Sequence, residues 1–302
     1  MKKTIVYLYA ELMGYQIPVL REYVDKYDYD VHVVHAVSGK LSKYEIPELT
    51  GITFYDKDQF KGSELLDLVR SLDPSIVYVS GWMYFIYTKV IYSLRKKNIP
   101  VVTGFDDIWH GTLKQRIGKL IFPFFKKKFF SHAWVAGPYQ YEYAKKLGFV
   151  NEEIIYNCLS ADVSKFISCK KKHDFGNSIP HNFLYVGRFH EVKGVDILYE
   201  AWKRLGKDRG DWKLTMIGNG PLLADMPEME SFEIRDFMQP EELISVLEDY
   251  SCLVIPSRNE QWSVAMHEFA VAGFPMISSH VCGAIPLFII PNYKTISSQG
   301  RF

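Results

Sequence analysis

The sequence FLYVGRFHEVKGV, residues 183–195, joins a strand, a glycine turn and the start of a helix. Phe183–Val186 is a short apolar run of aromatic and β-branched residues, which is typical of a buried strand. The segment that follows has apolar residues at helical spacing, namely Val195, Leu198, Trp202 and Leu205. This order of elements predicts the first half of a βαβ unit.

Similar apolar runs recur on both sides of this segment, separated by stretches of helical length. They are Ile5–Tyr9, Val31–His35, Ile76–Ser80, Val101–Thr103 and Ala133–Ala136 before it, and Lys213–Ile217, Phe232–Ile234, Cys252–Ile255 and Pro275–Ser278 after it. A polar, lysine-rich interruption at 170–174 divides the two series. We therefore expect an α/β protein with two Rossmann-like, doubly wound domains, residues 1–165 and 166–302.

Composition excludes several classes of protein. Of the 302 residues, 48% are apolar and 24% are charged, which is globular usage, and a formal net charge of +1 gives no strong attraction to nucleic acid. The four cysteines form no C-x-x-C pair, so neither a disulfide framework nor a zinc site is predicted and a cytoplasmic location is expected. Thr4–Tyr9, after the basic start, is expected to be a first strand rather than part of a leader.

The loops after the strands of the second domain carry polar residues suited to a phosphorylated ligand. Gly187, Arg188 and Lys193 follow the first strand and precede a helix, so backbone N–H groups and two cations suit a diphosphate. The alternative for this loop is a solvated basic turn. After the next strand, Gly218 and Gly220 permit a sharp turn and the close approach of a ligand, although such turns are common without any ligand.

The third loop and its helix contain two carboxylates. Glu260 follows the strand Cys252–Ile255, and Ser263 is predicted to cap a short helix that ends at Gly273. Glu268 then lies inside this helix among apolar neighbours. Because an unpaired carboxylate in such surroundings is unfavourable, vicinal hydroxyls of a ligand are the partner we expect.

These residues together resemble the retaining nucleotide-sugar glycosyltransferases of family 4, within the glycosyl transferases group 1. The shared features are G-R-x-x-x-x-K-G, then G-x-G-P, then two glutamates separated by seven residues. The resemblance implies the GT-B fold, in which two Rossmann-like domains face each other across a cleft. It implies that Arg188 and Lys193 bind the donor diphosphate, Glu260 the transferred sugar and Glu268 the ribose. The other implied donor-binding residues are Gly14, Gly187, Gly218, Gly220, Trp262 and Ser263.

The first domain supplies the remaining candidates for catalysis. Pro100–Trp109 resembles the strand and loop in which many relatives carry a histidine and an aspartate, and Asp106 stands at the histidine position. Asp106, Asp107 and Glu260 are therefore the expected catalytic residues. The alternative for the two aspartates is a helix N-cap and a first-turn acid. Gln261 and Ser263 replace glycines usual in the family, which leaves the donor sugar open.

The resemblance implies a retaining transfer from a UDP- or GDP-linked sugar to a glycan or lipid-linked acceptor, in surface polysaccharide synthesis. No metal or other cofactor is expected, and Asp28-Tyr29-Asp30, which precedes a strand, is interpreted as a turn. Two alternatives remain open: a non-catalytic family member that binds a nucleotide or a partner transferase, and a nucleotide-sugar epimerase of GT-B fold.

Two segments lead to further expectations. Lys114–Phe130 combines lysines and aromatic residues without any acid, which favours peripheral contact with anionic lipid at the inner face of the plasma membrane. The alternative is a helix with one core face and one solvated face. After Pro286 relatives continue with another strand and helices, so the second domain is expected to be C-terminally incomplete and its activity in question.

Overall fold

The computed structural model describes residues 2–36, 46–82, 84–172, 179–227 and 229–289. The chain forms two compact units, Met1–Ser160 and Ala161–Phe302. Among the described residues no helix is long and apolar enough to cross a lipid bilayer. The two units are therefore described one after the other.

The first unit contains one parallel sheet of seven strands with helices between them. The strands are β1 Thr4–Leu8, β2 Asp30–His35, β3 Ile52–Asp56, β4 Ile76–Val79, β5 Val101–Phe105, β6 His132–Val135 and β7 Ile154–Ile155. The helices are α1 Ile17–Asp25, α2 Glu64–Ser71, α3 Phe85–Lys96, α4 Leu113–Phe129 and α5 Pro138–Lys146. The strand order is β3-β2-β1-β4-β5-β6-β7, which is that of a doubly wound fold.

The sheet of the first unit is buried on both of its faces. One apolar cluster contains Leu8 and Val79, and a second cluster contains Tyr7 and Val33. Because neighbouring residues of a strand point to opposite faces, strands covered on both sides have almost continuous apolar sequence. This explains why the five strands expected in the first half were visible in the sequence.

The second unit contains a parallel sheet of five strands. The strands are β8 Asn182–Val186, β9 Lys213–Ile217, β10 Phe232–Arg235, β11 Cys252–Ile255 and β12 Met276–Ser278. The helices are α6 Val163–Phe166, α7 Val195–Leu205, α8 Pro240–Val246, α9 Val264–Ala272 and α10 Ile285–Phe288. The order β10-β9-β8-β11-β12 makes β8 and β11 neighbours, so the chain order reverses between them. Ligands of doubly wound sheets bind at this reversal.

The residues before the expected domain boundary pack with the second unit. α6 ends at Phe166, whose side chain is buried, and this short helix contacts α9. Residues 161–165 therefore belong with the second sheet by packing. Both units confirm the expected α/β class with doubly wound parallel sheets.

Candidate functional site

Three loops meet at the carboxyl edge of the second sheet. We name them the arginine–lysine loop, Gly187–Gly194 after β8, the glycine loop, Gly218–Gly220 after β9, and the glutamate loop, Pro256–Ser263 after β11. Their strands are adjacent and parallel, so the three loops leave the sheet on the same side. The expected diphosphate residues and Glu260 thus lie around the reversal between β8 and β11.

The arginine–lysine loop and the glycine loop are in direct backbone contact. Phe189 N donates a hydrogen bond to Asn219 O at 2.7 Å, and Leu222 N donates to Phe189 O at 3.1 Å. A Cβ atom at Gly218 would collide with the carbonyl oxygen of Gly187, and one at Gly220 would collide with that of Phe189. Glycine is needed here for loop packing, whether or not a ligand binds.

The arginine–lysine loop also contacts the glutamate loop. Val192 O accepts hydrogen bonds from Arg258 N at 2.9 Å and from Asn259 N at 3.1 Å. Gly194 has a φ of 65° and would bring any Cβ atom into the carbonyl oxygen of Pro256. A glycine at this position therefore allows α7 to begin against the neighbouring loop.

Lys193 and Glu260 join the two loops by an ion pair. Lys193 Nζ lies 2.5 Å from Glu260 Oε2, and Ser257 Oγ donates to the same oxygen at 3.1 Å. The side chains are 22% and 12% exposed, so water screens the pair only partly. The pair fixes a cation and a carboxylate side by side at the edge of the sheet.

Arg188, in the arginine–lysine loop, is the second cation of this site. Its side chain is exposed and makes no hydrogen bond or ion pair with any residue that the structure describes. Its backbone is fixed, because Tyr185 Oη donates to the Arg188 carbonyl at 2.9 Å. A guanidinium on a fixed backbone, in the loop that precedes α7, is available to an anionic group.

Glu268 is a carboxylate without a hydrogen-bond partner among the described residues. It lies in α9, which is capped by Ser263 Oγ accepting from Met266 N at 3.2 Å and ends at Gly273, as expected. Burial, and to a lesser extent the Asp162 carboxylate, raise the pKa of Glu268 to about 7 against the opposing effect of Lys165. Its side chain is partly exposed, so hydroxyl groups of a ligand can reach it.

The residues between the two glutamates differ in their surroundings. Trp262 is 4% exposed, and its ring meets that of Phe288 edge to face with 6.1 Å between centroids, so it belongs to the core of the second unit. Gln261 Nε2 donates to Asn259 Oδ1 at 3.1 Å. Ser263 has a φ of 79°, which is unfavourable for a residue with a side chain.

In the parts of the chain that the structure describes, no three His, Cys, Asp or Glu side chains are grouped to hold a metal ion.

The remaining candidates, Gly14, Asp106 and Asp107, lie in the first unit. Gly14 begins a short 3-10 helix that runs into α1, at the carboxyl end of β1. Asp106 follows β5, is half-buried and accepts a hydrogen bond from Gln140 Nε2 on its carbonyl at 2.9 Å, and Asp107 is exposed. The alternative that the aspartates cap a helix is wrong, because α4 begins at Leu113 with Thr112 as its N-cap.

Helix α4, expected as the basic aromatic segment, presents much of its apolar surface to solvent. Its exposed apolar residues are Leu113, Ile117, Leu120, Ile121, Phe124 and Phe125, with Leu113 at 75% and Phe124 at 80%. Its exposed cations are Lys114, Arg116, Lys119, Lys127 and Lys128. Lys126 differs from the expectation, since it is buried and bonded to Glu153 and to the carbonyl of Gly148.

Two charged residues next to the site were not predicted. Arg258 Nη1 and Nη2 each donate to a carboxylate oxygen of Asp196 at 2.6 Å, and Arg258 Nη1 also donates to Glu191 O at 2.8 Å. The hydrogen bonds from Arg258 lower the pKa of Asp196, which lies in the first turn of α7. An acid just after the K-G pair and an arginine in the glutamate loop are the signals in the sequence.

Comparison with known proteins agrees with this geometry. Residues 180–296 match the family model described as glycosyl transferases group 1. An uncharacterized glycosyltransferase of Methanocaldococcus jannaschii is 28% identical over 159 residues, 50% of this chain and 37% of that protein. An alpha-D-kanosaminyltransferase of Streptomyces kanamyceticus is 26% identical over 126 residues, 37% of this chain and 33% of that protein. The matched part thus spans about a third of the length of these relatives.

Solved structures share the fold of nearly the whole chain. A glycosyltransferase from Rickettsia africae has a TM-score of 0.65 at 12% identity, over 94% of this chain and 81% of that one. HepE from Anabaena in complex with UDP has a TM-score of 0.64 at 12% identity, over 95% and 82% of the two chains. These likenesses show the GT-B type of fold. Residues 180–296, which carry all three loops, are thus similar to the glycosyl transferases group 1 family.

Proposed function

We propose that this chain is a retaining glycosyltransferase that moves a sugar from a nucleoside-diphosphate sugar to an acceptor hydroxyl. The observation that carries the proposal is the meeting of three loops at one sheet edge. There Lys193 is paired to Glu260 at 2.5 Å, and the Arg188 side chain has no hydrogen-bond or ion-pair partner among the described residues. Arg188 and Lys193 provide positive charge for the phosphates, and Glu260 provides a carboxylate for sugar hydroxyls. The site therefore has groups for both chemical parts of such a donor.

The diphosphate is assigned to the arginine–lysine loop. Arg188 donates two hydrogen bonds in a fork, Lys193 adds a second positive charge, and the start of α7 adds the positive end of its dipole. These groups stabilise the negative charge that develops on the leaving nucleotide as the glycosidic bond breaks. The group that leaves is therefore stabilised by side chains and backbone of this chain.

The two glutamates are assigned to the sugars of the donor. Glu268 accepts hydrogen bonds from the ribose hydroxyls, and its lack of a hydrogen-bond partner among the described residues supports this role. Glu260 forms an ion pair with Lys193 and accepts hydrogen bonds from hydroxyls of the transferred sugar. Asp106 and Asp107 remain the proposed groups for orienting the acceptor hydroxyl or receiving its proton.

The donor base and the biological setting are chosen from the relatives. HepE was solved with UDP and with UDP-glucose, which makes UDP-linked hexoses the first donors to test. A structural neighbour, WaaG, is described as involved in lipopolysaccharide biosynthesis, with a TM-score of 0.62 at 13% identity. We propose a glycan or lipid-linked acceptor in surface polysaccharide synthesis for this chain as well.

One experiment tests the activity and separates it from its alternatives. The protein is screened against UDP- and GDP-linked hexoses by thermal shift, because a ligand that binds the native state raises its melting temperature. Donors that bind are incubated with polysaccharide repeat-unit acceptors, and products are examined by NMR. Retention predicts the donor's own anomeric configuration in the product. A changed nucleotide sugar without acceptor indicates an epimerase, and binding without any turnover indicates a non-catalytic member.

We further propose that helix α4 rests on an anionic lipid surface on the cytoplasmic side of a membrane. Between Asp107 and Glu142 the sequence has no acid, so the exposed cations of α4 have no acidic neighbour along the chain. Helix α3, which packs beside α4, adds the exposed residues Phe85 and Lys89, whose Nζ lies 4.9 Å from the ring centroid. Lysines interleaved with exposed aromatic rings suit the boundary between lipid headgroups and acyl chains.

A further inference from the structure

The glutamate loop is also joined to α7, which follows the arginine–lysine loop, by a second ion pair. Arg258 projects from the glutamate loop, and both of its terminal nitrogens donate to Asp196 at 2.6 Å. The same guanidinium donates to the carbonyl of Glu191 at 2.8 Å. Three hydrogen bonds from one planar group therefore connect the glutamate loop to the arginine–lysine loop and to the first turn of α7.

Arg258 contacts residues that precede and follow Lys193 in the sequence. Glu191 and Val192, just before Lys193, are bonded to the side chain and the backbone of Arg258, and Asp196 follows shortly after. Glu260 lies two residues beyond Arg258 in the sequence. The position of Lys193 relative to Glu260 consequently depends on where the guanidinium of Arg258 is held.

The charge of Arg258 is already neutralised within the protein. The fork onto Asp196 occupies both terminal nitrogens, raises the pKa of Arg258 and lowers that of Asp196. The side chain of Arg188, by contrast, makes no hydrogen bond or ion pair with a described residue. Arg188 is therefore available to bind a ligand, whereas Arg258 is bonded within the protein.

We propose that Arg258 is a positioning residue, which acts through Asp196 and Glu191 to set the spacing between Lys193 and Glu260. The inference rests on the proposed function, since that spacing is the one between diphosphate and transferred sugar in the donor. The side chains of Arg258 and Asp196 are 37% and 44% exposed, and exposed pairs contribute little to folding stability. The effect of the pair should therefore appear in loop geometry and turnover.

The first test needs no substrate. Hydrogen–deuterium exchange is measured on the whole protein for peptides covering 191–194 and 257–260, in wild type, Arg258→Ala, Arg258→Lys and Asp196→Asn. Faster exchange is expected in Arg258→Ala and Asp196→Asn, because the amides of Arg258 and Asn259 bond to Val192 O. Peptides from β8 should be unchanged. Unchanged exchange in both loops would overturn the inference, whether or not the protein transfers sugar.

The second test uses the nucleotide sugar that binds in the panel. Arg258→Ala and Asp196→Asn should each lower kcat by about tenfold to a hundredfold, as expected for a misplaced reacting group, while UDP or GDP affinity changes less than threefold or so. The double variant should be no slower than either single one, and Arg258→Lys should stay defective because lysine cannot form the fork. If Arg258→Ala abolishes nucleotide binding while Asp196→Asn leaves kcat intact, Arg258 binds the donor directly and the inference fails. Failure of wild type to bind any donor refutes the proposed function instead.

Discussion

Lys193 Nζ lies 2.5 Å from Glu260 Oε2 although the two residues are 67 positions apart in the sequence. They are brought together because β8 and β11 are neighbours in the second sheet, so the loops that follow these strands leave it side by side. The ion pair is therefore a consequence of the reversal of chain order in the sheet. It also joins the residue assigned to the diphosphate with the residue assigned to the transferred sugar.

The strength of this ion pair can be measured by a double-mutant cycle. Lys193→Met should destabilise the protein by about 1 to 3 kcal/mol, because the mostly buried Glu260 carboxylate then keeps Ser257 as its one side-chain partner among the described residues. Adding Glu260→Gln should recover most of this loss, since no unpaired charge then remains. Urea unfolding measures all four free energies of unfolding. Additive effects of the two changes would show that the residues do not interact.

The raised pKa of Glu268 predicts how its replacement depends on pH. The carboxyl titrates near 7 when folded and near 4.5 when unfolded, so its ionised form opposes folding, and the loss of stability grows as pH rises through 7. Glu268→Gln should therefore be about as stable as wild type at pH 4, and more stable by about 1 to 3 kcal/mol at pH 8.

Thermal midpoints of both proteins at these two pH values provide the measurement. The same substitution should weaken nucleotide binding, because an amide cannot accept two hydrogen bonds from vicinal hydroxyls through both of its terminal atoms. A stability difference that is equal at both pH values would contradict the assigned pKa.

Ser263 combines a favourable cap with an unfavourable backbone conformation. Its Oγ accepts from Met266 N, while its φ of 79° costs about 1 to 2 kcal/mol for a residue other than glycine. Ser263→Gly loses only a few tenths of a kcal/mol of capping, so it should stabilise the protein by about 1 kcal/mol. Ser263→Ala keeps the strain, loses the cap and should destabilise by about 1 kcal/mol. Urea unfolding compares the three proteins, and a destabilised glycine variant would refute this account.

Lipid binding through α4 is predicted to depend on its exposed cations. Lys119, Lys127 and Lys128 are each expected to contribute about 1 kcal/mol of attraction to an anionic surface, so the triple glutamine variant should lose about a hundredfold in affinity or more. The readout is co-sedimentation with vesicles of phosphatidylglycerol and phosphatidylcholine, with phosphatidylcholine alone as reference. Lys203→Gln, Lys207→Gln and Lys213→Gln together form a matched control in the second unit. Equal binding of the α4 variant and the control would exclude this role for α4.

The strands that could be predicted from the sequence are those covered on both faces. β1 and β2 read as continuous apolar runs because both faces of their sheet are covered. β3 and β7 were missed because they form the two edges of the sheet, where β3 is mostly half-buried and β7 has only two residues. The packing of α4 was not predictable either, since helical spacing alone does not tell which apolar residues face the core.

Part of the candidate site could be predicted because residue type and position after a strand were sufficient. Arg188, Lys193 and Glu260 follow strand ends, and parallel strands bring their loops to one edge. The ion pair of Arg258 with Asp196 could not be predicted, because it depends on which two strands are neighbours. The buried position of Trp262 could not be predicted from the sequence either, because it depends on packing against α10.

Titration of UDP and of GDP into the protein by calorimetry measures whether the arginine–lysine loop binds the diphosphate. We expect wild type to bind at least one of them. Arg188→Ala should weaken this affinity by about tenfold or more, since a hydrogen bond to a charged group contributes about 1.5 to 3 kcal/mol. Arg204→Ala, which replaces an exposed arginine on α7, should leave the affinity unchanged. Melting temperatures of the three proteins should agree closely. Equal affinity of Arg188→Ala and wild type, with both folded, would contradict the assignment of the diphosphate to this loop.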